Sequence, residues 1–265
     1  MDQKERLIYL VTYLMEENAK GDNIKVEPLL PLSYTQLLHM YRGLINLRLP
    51  YEISEEFLQV QDDFLKAYHA EREQVSLDDL MEVAPQIYLW QGDITQLEVD
   101  AIVNAANSEF LGCFIPNHRC IDNEIQTKGG YQIRLDCYDI RQEQGRKEPI
   151  GRAKITDAHN LPSNYIIHTV APITNGKPSG IKDKMLADCY TSVLKLADEN
   201  KLDTVAFNCI GTGQFGFPQD RAANLAIETV TNYLKETESS INVIFDVFED
   251  SDLEIYNDLL NANVH

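Results

Sequence analysis

Apolar residues recur at helical spacing through the first part of the chain, and short apolar runs take over beyond it. Leu7, Leu10, Val11 and Leu14 fall on one face of a helix. Pro28 and Pro31 break the chain, and Ser33 suits the N-cap of a second helix carrying Leu37, Leu38, Tyr41, Leu44 and Ile45. Pro50 breaks it again, and Ser54 suits the cap of a third helix with Phe57, Val60 and Phe64. Residues 1–80 therefore predict an α-helical N-terminal subdomain. It carries no chemical constellation, and reads as a unit packed on the main domain or, alternatively, as a partner-binding module.

The pattern changes near Pro85. Ile87–Trp90, Ala101–Asn104, Ala153–Ala158, Tyr165–Val170, Thr204–Cys209 and Ile241–Phe248 read as strands. Between and after them lie helical segments: Ile121–Gln144, interrupted at Gly129-Gly130, then 181–199, Gln219–Lys235 and Leu253–Leu260. Strands alternating with helices predict an α/β domain over residues 81–265, with a mostly parallel sheet covered on both faces.

Composition narrows the class. A chain of 265 residues exceeds the common domain size, and 44% hydrophobic with 25% charged residues describes an ordinary soluble globular protein. No apolar run approaches the ~20 residues of a membrane span, and the start MDQKERL lacks a signal-peptide pattern, so a cytoplasmic location is expected. The formal net charge of −19 argues against nucleic acid and anionic membranes as partners. A small anionic ligand stays compatible, because backbone N–H groups and a metal supply local positive potential. Five cysteines, an odd number, do not suggest a disulfide framework.

Candidate chemistry concentrates between Gln91 and Asn123. Asp93 follows the first strand; Asn104 and Asn107 close the second; Cys113, His118, Cys120 and Asp122 come next. Thiolates and imidazole are ligands that zinc prefers, and three of them leave a fourth tetrahedral position open. His118 and Cys120 would diverge on a helix but can converge in a loop, which Gly112 and Pro116 favour. From spacing alone, the cluster reads equally as zinc ligands or as two buried thiols and a surface histidine. A second constellation, GTGQFGFP at Gly211–Pro218, precedes a helix whose first turn suits Pro218. Its glycines let backbone N–H groups turn toward a phosphate. GTGQFG also satisfies the dinucleotide pattern, but it sits late in the chain and is followed at once by Phe217-Pro218. A purely structural turn remains open.

The words GDIT at Gly92–Thr95, VNAAN at Val103–Asn107 and GTGQFGFP together resemble a macrodomain, the ADP-ribose-binding fold. The segment GCFIPNHRCIDN, in place of the usual glycine-rich stretch, resembles the zinc-containing bacterial subfamily of protein-ADP-ribose hydrolases. The resemblance spans about residues 80–265 and implies a three-layer fold with a mostly parallel mixed sheet. It implies one Zn2+ per chain on Cys113, His118 and Cys120, with Asn107, Asp122 and the metal catalytic. Asp93, with Ile94 beside it, matches the carboxylate that recognises the adenine amino group. Asn107 matches the residue that orients the distal ribose, with Cys120, Ile121 and Asp122 near ribose and phosphates. Gly211, Thr212, Gly213, Gln214, Phe215 and Gly216 match the diphosphate loop, in which Phe215 shapes the distal ribose. Phe248 reads equally as a ring stacked on adenine or as a core aromatic. Gln126, Gly129 and Gly211 stand where histidine, alanine and serine are frequent in the family. His159 and His168 read as scaffold, and Cys137, Cys189 and Cys209 as core thiols.

The implied activity is zinc-dependent removal of mono-ADP-ribose from modified proteins, the metal either activating water or positioning ribose. The implied target is a lipoyl-carrier protein modified by a sirtuin-type transferase. A non-catalytic ADP-ribose reader with structural zinc is the alternative. A dinucleotide-dependent oxidoreductase, resting on GTGQFG alone, is a third reading.

Overall fold

The computed structural model describes residues 1–19 and 29–262; the Pro28 break lies outside them. Helices α1 (Gln3–Ala19), α2 (Tyr34–Leu47) and α3 (Glu55–Ala70) form where the apolar spacing predicts them. Ser33 and Gln36 make a reciprocal capping box at α2, and Ser54 Oγ accepts from the Phe57 amide at α3. Leu7, Leu10, Val11 and Leu14 turn inward and pack with Leu37, Tyr41, Phe57 and Phe64. Tyr131 and Leu135, from beyond the helical segment, complete this cluster, so the three helices are packed onto the rest of the chain.

Residues 71–80 depart from the helical expectation. Val75–Ser76 is a short strand, β1, and Leu77–Asp79 a single tight turn. Asp79 accepts from both the amide and hydroxyl of Ser76, a local bond that competes with helix.

The remaining strands are β2 (Glu82–Ala84), β3 (Ile87–Gln91), β4 (Leu97–Glu98), β5 (Ala101–Ala106), β6 (Ala153–Asp157), β7 (Tyr165–Val170), β8 (Thr204–Phe207) and β9 (Asn242–Val247). β1 pairs with β4, and among the described residues the main sheet runs β2-β3-β9-β8-β5-β7-β6. Its five inner strands are parallel and the edges β2 and β6 antiparallel. Helices α4 (Ile121–Gly129) and α5 (Gln132–Gln144) cover one face. Helices α6 (Gly180–Glu199), α7 (Gln219–Thr237) and α8 (Asp250–Ala262) cover the other. Side chains alternate between the two cores: Ile102, Ile166, Ala206 and Ile244 on one side, Val103, Ile167, Phe207 and Phe245 on the other. Both faces are buried, which explains why these strands read as unbroken apolar runs. β2 escaped the sequence reading because exposed Glu82 with half-buried Val83 and Ala84 makes no such run. No described helix is long and apolar enough to cross a membrane. The parallel strands bring the loops after β3, β5, β8 and β9 to one edge, where open α/β sheets hold ligands.

Candidate active site

At that edge lies a cleft of about 1080 Å³. Every residue to which the resemblance assigns a role lines it except Gly216, and Asn104 lies buried beneath it. Its distal end is built from the end of β5. Asn104 is buried and donates through Nδ2 to Asp122 Oδ1 at 2.9 Å, with His168 Nδ1 at 3.1 Å from the same nitrogen. Burial pushes His168 down to about 3, so the ring is neutral. Its other nitrogen lies 2.9 Å from Thr156 Oγ1, which suits Nε2–H as donor and leaves Nδ1 to accept from Asn104. His168 is thus part of the scaffold beneath Asp122. Burial raises the Asp122 carboxyl above its ordinary range, and Asn104 and Arg134 only partly offset this.

Asn107 shapes the next loop by donating to the Gly112 carbonyl at 3.0 Å and accepting from the Glu109 amide at 3.0 Å. Gly112, at φ +82°, takes the left-handed turn that follows. Cys113, His118 and Cys120 are each half-buried, and their ligand atoms lie within 4.8 Å of one another. A zinc ion with bonds of ~2.0–2.3 Å sets its ligands roughly 3.5 Å apart, and Cys113 Sγ is 3.5 Å from His118 Nδ1. The donor set and its spacing fit zinc. Burial, with Cys113 and Asp122 nearby, pushes the Cys120 thiol up to about 12, so ligation there requires the metal to displace a proton. His118 Nε2 lies 2.8 Å from Gln214 Nε2, a contact that joins this loop to the glycine-rich loop across the cleft. With Nδ1 on a metal, Nε2 carries a proton and needs an acceptor, which the Gln214 amide supplies when turned over.

Asp93 sits at the other end. Its Oδ1 accepts from the amide and hydroxyl of Thr95 at 3.1 and 2.6 Å, and its Oδ2 from Arg72 at 2.7 Å and Lys128 at 2.5 Å. Burial alone would raise this carboxyl, but Lys128, Thr95 and Arg72 outweigh it and hold Asp93 well below the usual carboxylate range. A carboxylate offers about four acceptor positions, and here all are taken. Contact with an adenine amino group therefore requires one cation to shift. Phe248 is 71% exposed at the cleft mouth, which removes the core-aromatic reading. Asp246, two residues earlier on β9, is buried with Oδ1 unpaired and its carboxyl raised by burial and by Asp93.

The glycine-rich loop joins β8 to α7. Gly211 and Gly216 have φ of +84° and +66°, which glycine adopts without strain. Gly216 faces away from the cleft: its amide donates to the Gly213 carbonyl, and its own carbonyl accepts from Gly176 N and Thr174 Oγ1. Its role is to close the loop. Among the described residues, the amides of Gly213, Gln214 and Phe215 donate no hydrogen bond and are free for an anion. Pro218 is the N-cap of α7 and not in its first turn. Cys209 also departs from expectation: it is half-buried and lines the cleft.

Arg42, Arg72, Lys128, Asn208 and Asp246 line or brace the site and were not singled out from the sequence. Only Lys128 had a local signal, four residues after Glu124 on one helix.

A sheet of this order with the loops after β3, β5, β8 and β9 gathered over one cleft defines the macrodomain class, and the Macro domain family model matches residues 103–226. The chain belongs to the macrodomain family. It is 49% identical to a protein-ADP-ribose hydrolase of Staphylococcus aureus (strain MSSA476), over 98% of this chain and 97% of that one. A protein-ADP-ribose hydrolase of Treponema medium is 43% identical over 98% of this chain and its own full length. Among solved structures, the Oceanobacillus iheyensis macrodomain with ADP superposes with a TM-score of 0.63 at 31% identity, covering 70% of this chain and 95% of that one.

Proposed function

We propose that this protein is a zinc-dependent protein-ADP-ribose hydrolase that removes mono-ADP-ribose from modified proteins. Relatives named protein-ADP-ribose hydrolase, matching over the whole chain, support a hydrolase acting on ADP-ribosyl linkages. The observation that carries the finer reading is the Cys113–His118–Cys120 group inside the cleft, beside Asp122 and Asn107. A structural metal has no need of that position.

Adenine lies between Asp93, Ile94 and Phe248, with Arg72 or Lys128 yielding its place on Asp93. The free amides at Gly213, Gln214 and Phe215, with Gly211 and Thr212 beside them, take the diphosphate. Phe215, Asn107, Cys120 and Ile121 confine the distal ribose. Cleavage breaks the bond between the anomeric carbon and the modified side chain, where positive charge develops as the acceptor leaves. Asp122 faces that position, orients the attacking water and takes its proton; its raised carboxyl suits the role of base. Asn104 holds Asp122 by a 2.9 Å hydrogen bond. Cys113, His118 and Cys120 would hold a zinc ion, which would supply Lewis acidity at the distal ribose. The substrate proposed is a lipoyl-carrier protein modified by a sirtuin-type transferase.

The test is incubation of purified protein with such a modified carrier, followed by mass spectrometry of the carrier and quantification of free ADP-ribose. Time-dependent, catalytic release of ADP-ribose is expected. Stoichiometric binding with no release would replace the hydrolase by a reader module.

A further inference from the structure

The proposed chemistry gives the N-terminal helical segment no role, yet it reaches both ends of the cleft, through Arg42 on α2 and through Arg72 just past α3. On α2, His39, Arg42, Gly43 and Asn46 lie at helical spacing against the loop that carries the candidate zinc ligands. Arg42 Nη2 donates to the His118 carbonyl at 2.8 Å, Nε donates to Asn123 Oδ1 at 3.1 Å, and Nη1 pairs with Glu124 at 2.7 Å. Asn46 is 1% exposed; it accepts from the Asn117 amide at 3.0 Å and donates to Thr127 Oγ1 at 3.0 Å. A Cβ on Gly43 would stand 2.9 Å from Asn117 Nδ2, so glycine lets the helix approach this closely. The end of α2 is itself pinned. Arg134 donates through Nη1 to the carbonyls of Ile45, Asn46 and Arg48, and its guanidinium lies 4.5 Å from the ring centre of Phe114 in the same loop.

The loop holds little of its own shape. Among the described residues, its one internal backbone hydrogen bond between 111 and 120 runs from His118 to Ile115, at 3.2 Å. From Arg42, ion pairs continue along α4, whose first turn carries Asp122. Glu124 pairs with Lys128 at 3.0 Å, Lys128 with Asp93, and Asp93 with Arg72, just past α3. Residues of the helical segment thus grip α4 and the metal loop together, and hold the ligands in register with Asp122.

We propose that Arg42 and Asn46 are positioning residues for the metal site, so that α2 sets the arrangement of Cys113, His118 and Cys120. What the loop holds rests on the zinc reading; how the loop is held does not. Groups hydrogen-bonded behind metal ligands typically govern affinity by 10–100-fold. The experiment compares wild type, Arg42→Gln and Asn46→Ala by amide hydrogen exchange with mass spectrometry, metal-stripped and zinc-loaded, and by zinc competition with a chromophoric chelator. In metal-stripped variants, exchange over residues 111–123 should rise about tenfold while β8 keeps its wild-type rate. Zinc affinity should fall about 10–100-fold. General destabilisation would speed β8 as well and overturn the proposal. So would a folded variant whose 111–123 segment exchanges at the wild-type rate, or whose zinc affinity is unchanged. If wild type retains no zinc, the zinc reading fails, and exchange in the stripped protein alone decides the positioning role. Asn46 is buried and its removal can impair folding; Arg42, with 21% of its side chain exposed, then decides the matter.

Discussion

The two loops that face each other across the cleft are built on opposite principles. The β8–α7 loop offers backbone amides and is closed by its own backbone, through Gly216 to Gly213 and Phe217 to Gly211, with Thr174 and Gly176 behind it. The β5–α4 loop offers side chains and is closed by other side chains, from Asn107, Arg42 and Asn46. A loop that works through its backbone is specified by glycine spacing and tolerates side-chain change where space allows. A loop that works through thiols and imidazole depends on residue identity, and on partners far away in the chain.

The largest effect expected is on the side-chain loop. Wild type should carry about one zinc per chain, and Cys113→Ala with Cys120→Ala should abolish its retention; elemental analysis under non-chelating conditions reads both. The scaffold beneath that loop gives the next. His168 is held neutral, its folded pKa pushed down to about 3, below the ordinary value near ~6.5. Between those values the unfolded chain binds the extra proton, so stability falls as pH drops through that window. Measured as the difference between wild type and His168→Gln, the slope should approach about 1.4 kcal/mol per pH unit. Taking the difference removes the opposing contribution of the raised carboxyls Asp122 and Asp246.

At the far end, Asp93→Ala should weaken ADP-ribose binding by about 1–3 kcal/mol by calorimetry. Equal affinity in the variant would show that the Arg72–Asp93–Lys128 group never opens to adenine. On the backbone loop, two glycines should separate cleanly. Gly216, with φ +66° and the Asn175 backbone 3.1 Å from an added Cβ, should lose about 2 kcal/mol of stability on change to Val. Gly213 has open space around an added Cβ, and Gly213→Ala should stay within about 0.5 kcal/mol in denaturant unfolding.

The same contrast explains what could be read from the chain alone. The inner strands and helices were legible because burial on both sheet faces, or on one helix face, writes a period into the residues themselves. The exposed Glu82 and half-buried Val83 and Ala84 of β2, and the Ser76–Asp79 turn, write none. The glycine loop and the thiol-rich loop were legible as local words, and the structure brings both to one cleft. The grip of Arg42 on Asn123 spans 81 positions, and that of Arg72 on Asp93 spans 21. Neither leaves a local trace, because an arginine looks the same in the sequence whether its side chain meets water or a distant partner. Gly216 was assigned to the ligand with its neighbours, since spacing cannot tell an amide that faces a phosphate from one that closes the turn.

In the proposed mechanism the metal acts in bond cleavage and not in holding ADP-ribose. The direct measurement is the rate of ADP-ribose release from a modified protein, beside the affinity for free ADP-ribose, for wild type and His118→Ala, with circular dichroism verifying the fold. The variant should lose its zinc and slow release by roughly a hundredfold or more, while affinity stays within about 0.5 kcal/mol. A folded, zinc-free His118→Ala that releases ADP-ribose at the wild-type rate would show that the metal takes no part in cleavage.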